Sequence, residues 1–246
     1  MVDWDRGTYE ETAEELGPAA EFVVQRAGIE EGHEVLDLGT GTGNAAVLAR
    51  QAGANVTAVD PSPRLLEVAR QRVGEGTFKV AKAEDLPFDD QSFDRVLSLF
   101  AVIFSDEPEK AAGEILRVTR GKALITAWEA VGPMNDALGI LGRATSEAAQ
   151  TSHRRFDWSN LDNVKGLFGD VDVERATIAF EAPSAEEYLK RFETRHPAGM
   201  LFRDVLTRNG NYADVRAQAL AALGDERPLR VTSSYFVFTV GPRAAG

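Results

Sequence analysis

Through the first half of the chain, short apolar runs alternate with amphipathic stretches. Val35–Leu38, Asn55–Val59, Phe78–Ala81, Phe93–Leu99 and Ala123–Trp128 are too short for helices and rich in branched or aromatic side chains, so they are predicted as buried strands. Between them the apolar period lengthens. Gly43–Gln51 reads as a helix closed by Gly53. Ser62 caps a helix from Pro63 that carries Leu65, Leu66, Val68, Ala69 and Val73 on one face. Asp106–Val118 does the same with Ala111, Ala112, Ile115 and Leu116. Upstream, Thr8 followed by Glu11 predicts a capping box opening a short helix. Gly17-Pro18 ends it, and Pro18 starts a second helix to about Ala27. Strand–helix alternation of this kind builds parallel strands joined by crossover helices, a doubly wound α/β sheet.

After Trp128 the rhythm breaks. Residues from Val131 to Asp170 are polar and glycine-interrupted with helical pieces, and Gly132–Gly142 reads as a mobile lid. Val171–Phe180 alternates as a strand, Ala185–Arg195 and Ala213–Leu223 read as helices, and Tyr235–Val240 as a last strand. The two late strands are expected to join the edge of the first sheet, making it seven-stranded. The later helices are expected to cap the carboxyl ends of its strands, where open α/β sheets bind ligands. Residues 1–128 then form the N-terminal helices and cofactor-binding core. Residues 129–246 form a cap or substrate region plus the last two strands, within a single domain.

Composition narrows the classes. The 246 residues carry a net charge of -12 with no block of basic residues, which argues against nucleic acid as a partner. Cysteine is absent, so there is neither a disulfide framework nor thiolate chemistry. The acidic start MVDWDRGTYEE does not read as a signal peptide, and no apolar run approaches the roughly 20 residues of a membrane span. The cytoplasm is the expected compartment. No metal-ligand cluster is predicted, and the oligomeric state stays open between monomer and homodimer.

The chemistry starts at VLDLGTGTGNAA, residues 35–46. A phosphate-cradling loop needs a Lys after its glycines, and none follows. A dinucleotide loop, G-x-G-x-x-G, fits Gly39 and Gly41, but its third glycine falls on Asn44 and the glycine comes one place early at Gly43. The remaining reading is S-adenosylmethionine. Its loop follows an acid, here Asp37, and brings bare backbone close to a methionine end that carries an ammonium rather than a pyrophosphate. Asp60 ends the second strand about 20 residues beyond the loop, the position from which a carboxylate takes both ribose hydroxyls. An NAD(P)-dependent oxidoreductase and a non-catalytic S-adenosylmethionine-binding module are the alternatives.

With Asp37 and its loop, VDPS at 59–62, and AEDLPF at 83–88 followed by SFDRVLS at 92–98, the stretch Val35–Trp128 resembles class I S-adenosylmethionine-dependent methyltransferases, the small-molecule type that includes ubiquinone and menaquinone biosynthesis enzymes. The resemblance implies a Rossmann-like, mostly parallel sheet with a reversed last strand. It implies methyl transfer to a small, aromatic or apolar acceptor by in-line displacement, leaving S-adenosylhomocysteine. Gly39, Thr40, Gly41, Gly43 and Asn44 would line the methionine end beside Asp37. Asp60, Pro61 and Ser62 would take the ribose and flank the adenine, with Ala83, Glu84 and Leu86 around the ring. Phe100 would border both cofactor and acceptor, and Tyr9, with Trp4 nearby, would come from an N-terminal helix folded over the cofactor. The family commonly has an acid where this chain has Lys82, which cannot accept from the adenine amino group. Trp128 and Phe156 are the acceptor candidates, and His196 and His153 the candidate bases. His33 precedes the first strand and reads as a surface residue.

Overall fold

The structure is a computed structural model that describes residues 2–150 and 156–241. His153 lies outside the described residues. The helices are α1 (Tyr9–Ala13), α2 (Gly17–Ala27), α3 (Asn44–Gln51), α4 (Pro63–Val73), α5 (Pro108–Val118), α6 (Pro133–Ala148), α7 (Leu161–Phe168), α8 (Ala185–Arg195), α9 (Pro197–Asn209) and α10 (Tyr212–Leu223). The strands are β1 (Glu34–Leu38), β2 (Asn55–Asp60), β3 (Thr77–Val80), β4 (Phe93–Ser98), β5 (Thr119–Trp128), β6 (Asp172–Ala182) and β7 (Leu229–Val240). They form one seven-stranded sheet in the order β3-β2-β1-β4-β5-β7-β6, mostly parallel with the last strand reversed.

Two compact units make up the chain. One comprises Leu16–Ala127, Phe156–Ala176 and Tyr235–Gly246. Its core is the parallel set β1–β5 with α2–α5 and α7, and Leu36, Leu97, Ile115, Leu124 and Ile125 are fully buried in it. Strand β1 pairs in parallel with both β2 and β4, Asp37 lying opposite Ala58 on one side and Leu97 on the other. The chain leaves β1 toward β2 and β3, then returns across to β4. The gap between the β1 and β4 ends is therefore the topological switch point of the sheet.

The other unit comprises Met1–Glu15, Trp128–Arg155 and Thr177–Ser234. It is mainly helical, with α6 and α10 packed side by side and α8, α9 and α1 in contact with one another or with them. Among the described residues no helix is long and apolar enough to cross a membrane, and no group of acids and histidines is arranged to hold a metal.

Four expectations need correction. Helix α1 starts after Thr8, but Thr8 makes no side-chain cap, and the Glu11 carboxylate instead pairs with Arg195. The capping box is lost because the long-range ion pair takes its acid. Gly132–Gly142 is not an irregular lid: all but its first residue lie in α6, where Gly139 and Gly142 sit inside a continuous helix. Gly142 faces the Phe202 ring, which a Cβ there would meet at 3.8 Å. Strand β5 begins at Thr119, before the expected Ala123, so Gly121 is a strand residue. A Cβ there would stand 2.2 Å from the Asp94 carbonyl oxygen. Strand β7 begins at Leu229 rather than Tyr235.

Candidate functional site

The loop after β1 is left-handed at all three glycines, with φ of 68° at Gly39, 53° at Gly41 and 85° at Gly43. L side chains rarely adopt such angles, so the spacing of glycines records the path of the backbone. The Gly39 and Thr40 N–H groups both donate to the Val59 carbonyl at 2.9 Å, which folds the loop against the end of β2. Two of the glycines also answer to neighbours. A Cβ on Gly39 would stand 2.3 Å from the Ala101 Cβ, and one on Gly43 would stand 3.2 Å from Ala69 on α4. Arg72 of α4 clamps the loop from outside, donating to the Thr42 carbonyl at 2.6 Å, the Thr42 hydroxyl at 2.8 Å and the Asn44 side-chain oxygen at 2.9 Å. Asn44 thus replaces a third dinucleotide-type glycine with an anchor for Arg72.

Two buried carboxylates flank this loop. Asp37, 2 % exposed, uses a single oxygen, Oδ2, to accept from the Thr40 hydroxyl at 2.7 Å and the Ala46 N–H at 3.0 Å. Burial pushes its pKa up to about 6. Those two hydrogen bonds pull it down, and the neighbouring Asp60 charge adds to the rise. Asp60, 5 % exposed, accepts from the Gly41 N–H at 2.8 Å through Oδ2 and from the Ser62 N–H at 2.9 Å through Oδ1. The Ser62 hydroxyl accepts from the Leu65 N–H at 3.1 Å, capping α4 as predicted, with Pro61 between the two roles. The strand ends therefore hold two buried acids, Asp37 oriented by the Thr40 hydroxyl and an N–H of the first turn of α3, and Asp60 by the Gly41 and Ser62 N–H groups.

The AEDLPF segment is built as a tight turn. Lys82 and Asp85 bridge across Ala83 and Glu84, and the Asp85 N–H donates to the Lys82 carbonyl. The Glu84 carboxylate accepts from the Ser105 hydroxyl. Leu86 is buried, and its N–H donates to Glu114 at 2.8 Å. Arg117 donates to the Leu86 carbonyl at 3.0 Å and the Phe88 carbonyl at 2.7 Å, while pairing with Glu114 and Asp90. Sequence reading missed Arg72, Glu114 and Arg117, since each acts across about thirty residues of chain with no local signature. Phe100 follows β4 in a left-handed conformation, φ 51°, with its N–H donating to the Thr126 hydroxyl at 2.8 Å and its ring edge-on to Tyr235. A bulky residue held there is an outlier of the kind that clusters at functional sites.

The remaining candidates fall into other surroundings. Phe156 packs on the main core beside Trp158, their rings 5.0 Å apart, with Phe168 next in the row. Trp128, Tyr9, Trp4 and His196 belong to the mainly helical unit. Trp128 tilts against Phe180, which meets Tyr188. His196 sits among the rings of Trp4, Tyr9 and Phe192, and its Nδ1 accepts from the Ala198 N–H at 3.1 Å to cap α9. Burial lowers its pKa to about 4. A neutral imidazole using Nδ1 as an acceptor carries its proton on Nε2, so His196 is placed as a donor and a helix cap rather than as a base. His33 accepts from the Glu30 N–H just before β1.

The doubly wound sheet with its reversed last strand is a Rossmann-like fold. The methyltransferase-domain family matches residues 36–126, which carry the loop, both acids and the AEDLPF turn. An uncharacterised protein of Mycobacterium tuberculosis is 33% identical over 204 residues, 77% of this chain and 74% of that protein. A demethylmenaquinone methyltransferase of Clavibacter sepedonicus is 41% identical over 101 residues, 40% of this chain and 41% of that enzyme. The crystal structure of the YcgJ protein from Bacillus subtilis shares the fold, with a TM-score of 0.62 at 21% identity over 92% of this chain and 98% of that one. The chain belongs to the class I S-adenosylmethionine-dependent methyltransferases, whose cofactor is S-adenosylmethionine.

Proposed function

We propose that this chain binds S-adenosylmethionine between the Asp37 loop and Asp60 and directs its methyl group to a small, aromatic or apolar acceptor. The observation that carries the reading is the pair of buried carboxylates on either side of the glycine loop. A dinucleotide would bring its pyrophosphate toward these acids and raise their electrostatic cost, whereas a cationic amino-acid end lowers it. That argues against the oxidoreductase alternative.

Bound there, the cofactor supplies a methyl group already activated on a sulfonium, ready for in-line displacement. The chain's contribution is placement. The free oxygen positions of Asp37 face an ammonium, Asp60 exchanges its loop contacts for ribose hydroxyls, and the Ala83 turn offers backbone to the adenine. Lys82 cannot accept from the adenine amino group, which leaves Glu84 or a water to do so. Orientation of this kind supplies roughly 7–11 kcal/mol of barrier reduction. The acceptor class is supported by the quinone-type substrate in the name of the Clavibacter enzyme.

Calorimetric titration with S-adenosylhomocysteine and with NADH tests the reading. Tight binding of the first and none of the second is expected. Asp60→Ala is expected to weaken S-adenosylhomocysteine by about 2 kcal/mol, roughly thirtyfold, because two hydroxyls lose a charged acceptor. The 2′-deoxyribose analogue should bind worse than the parent to wild type and nearly equally to the variant. An unchanged dissociation constant in Asp60→Ala rejects the ribose role. A methyl-transfer screen over quinols, phenols and apolar amines then separates an enzyme from a binding module.

A further inference from the structure

The mainly helical unit carries a cleft that none of the residues assigned to the cofactor lines. Its volume is about 470 Å³, and it is bounded by α8 (Lys190, Glu193, Thr194), α9 (Arg203) and the apolar face of α10. That volume falls in the range of small-molecule sites. Glu193 is only 3 % exposed. Its Oε2 accepts from Arg216 Nε at 2.9 Å, and Arg216 is fixed on its other side by Glu186. The second carboxylate oxygen, Oε1, is buried and meets no hydrogen-bond donor among the described residues. A buried carboxylate oxygen left without a donor is costly, and a donor that completes it recovers that cost. Tyr212 is a hydrogen-bond partner of the same carboxylate group, and its phenol pKa is raised by burial first, then by that bond and the Glu193 charge, while Arg216 lowers it.

The polarity of the cleft is ordered. The buried acceptor is Glu193 Oε1. Lys190 and Arg203 are cations with partly exposed side chains, and their own acid partners stand at 3.7 Å and 3.2 Å. Ala213, Ala217 and Leu220 repeat at helical spacing on α10 and give an apolar wall. We propose that this cleft is a second binding site, independent of the methyl-transfer reading, for a small carboxylate with a donor on its α-carbon: an amino acid or α-hydroxy acid with a short apolar side chain. The ammonium or hydroxyl completes Glu193 Oε1, the carboxylate meets Lys190 and Arg203, and the side chain covers the α10 wall.

The test is methyl-detected NMR titration of the full chain with L-leucine, 2-hydroxy-4-methylpentanoate and 4-methylpentanoate. The first two are expected to shift the Ala213, Ala217 and Leu220 methyl signals with dissociation constants below about 10 mM. The third lacks the donor and should bind at least about tenfold more weakly. Glu193→Gln keeps an oxygen for Arg216 and places an amide donor where the acceptor was. It should lose at least about tenfold in leucine affinity while its backbone spectrum and S-adenosylhomocysteine affinity stay as in wild type. Should Glu193→Gln perturb the fold, Ala217→Trp, which fills the apolar wall, serves instead and should also abolish the leucine shifts. Equal binding of the donor-free acid, unchanged leucine affinity in a folded variant, or a crystal structure with only a water on Glu193 Oε1 at saturating leucine each overturns the proposal.

Discussion

Asp37→Asn is expected to weaken S-adenosylhomocysteine binding about a hundredfold near neutral pH, roughly 2.7 kcal/mol, and to leave the fold intact. Both donors that Asp37 receives in the free protein reach the same oxygen, Oδ2, so an asparagine oxygen in that place keeps the Thr40 and Ala46 bonds. What the substitution removes is the charge. In the free protein the carboxyl holds its proton up to about pH 6 because it is buried. A ligand ammonium needs the ionised form, so wild-type affinity should fall as pH drops through 6 toward 5, and the Asn variant should be flat over that window. For stability the sign is opposite to that of an ion-paired acid. The native state binds the proton more tightly than the unfolded chain, whose value is 3.8. The free protein therefore loses stability as pH rises from about 4 to about 6, by on the order of 3 kcal/mol, and no more above that. The ligand-free variant should be at least as stable as wild type at neutral pH in urea unfolding. Calorimetry from about pH 5 to 8 on both proteins decides the matter; parallel pH profiles would remove Asp37 from the cofactor site.

The two acids were legible in the sequence because strand ends in a doubly wound sheet are set by local pattern. An apolar run with an acid at or one place before its end, then glycine or proline, marks the end of β1 and of β2, and the structure places Asp37 and Asp60 there. Ser62 was readable for the same reason, since a helix cap is a contact over three residues. Two of the misreadings involve glycine. Gly121, Gly139 and Gly142 look like turn or breaker residues, yet they lie in β5 and α6; at Gly121 a Cβ would stand 2.2 Å from the Asp94 carbonyl oxygen, whereas Gly139 meets the end of the Arg143 side chain one turn on and Gly142 meets the Phe202 ring at ordinary contact distance. A local rule reads glycine as conformational freedom, and at Gly121 a non-local approach uses it as missing volume. The first half of β7 escaped notice because Arg230, Thr232 and Ser234 alternate with Val231 and Ser233, and the buried Ser233 breaks the apolar alternation that marks a strand. The clamps of Arg72 and Arg117 belong to tertiary structure and leave no mark that a single sequence displays.

The same distinction gives the second large effect, at Gly39. This glycine was read as a place where bare backbone approaches a ligand, but the structure supplies a nearer reason. Its φ is 68°, and a Cβ would stand 2.3 Å from the Ala101 Cβ, well inside van der Waals contact. Gly39→Ala should therefore destabilise the protein by about 2–5 kcal/mol: roughly 1–2 from the left-handed backbone and roughly 1–3 from forcing β1 and the segment after β4 apart. Ala101 itself has an ordinary right-handed backbone, φ −105°, so Ala101→Gly alone should cost less than about 1 kcal/mol. In the double variant the steric part should disappear and the backbone part remain. A double-mutant cycle in urea is then expected to show a coupling of at least about 1 kcal/mol in the rescuing direction. Binding of S-adenosylhomocysteine should follow the fold, lost with Gly39→Ala and largely restored when Ala101 is glycine, because the Gly39 and Thr40 bonds to Val59 can then re-form. Additive stabilities would mean that the two segments do not press on each other. A restored fold with no restored binding would return Gly39 to the role first read from the sequence, an uncovered stretch of backbone that the ligand itself must reach.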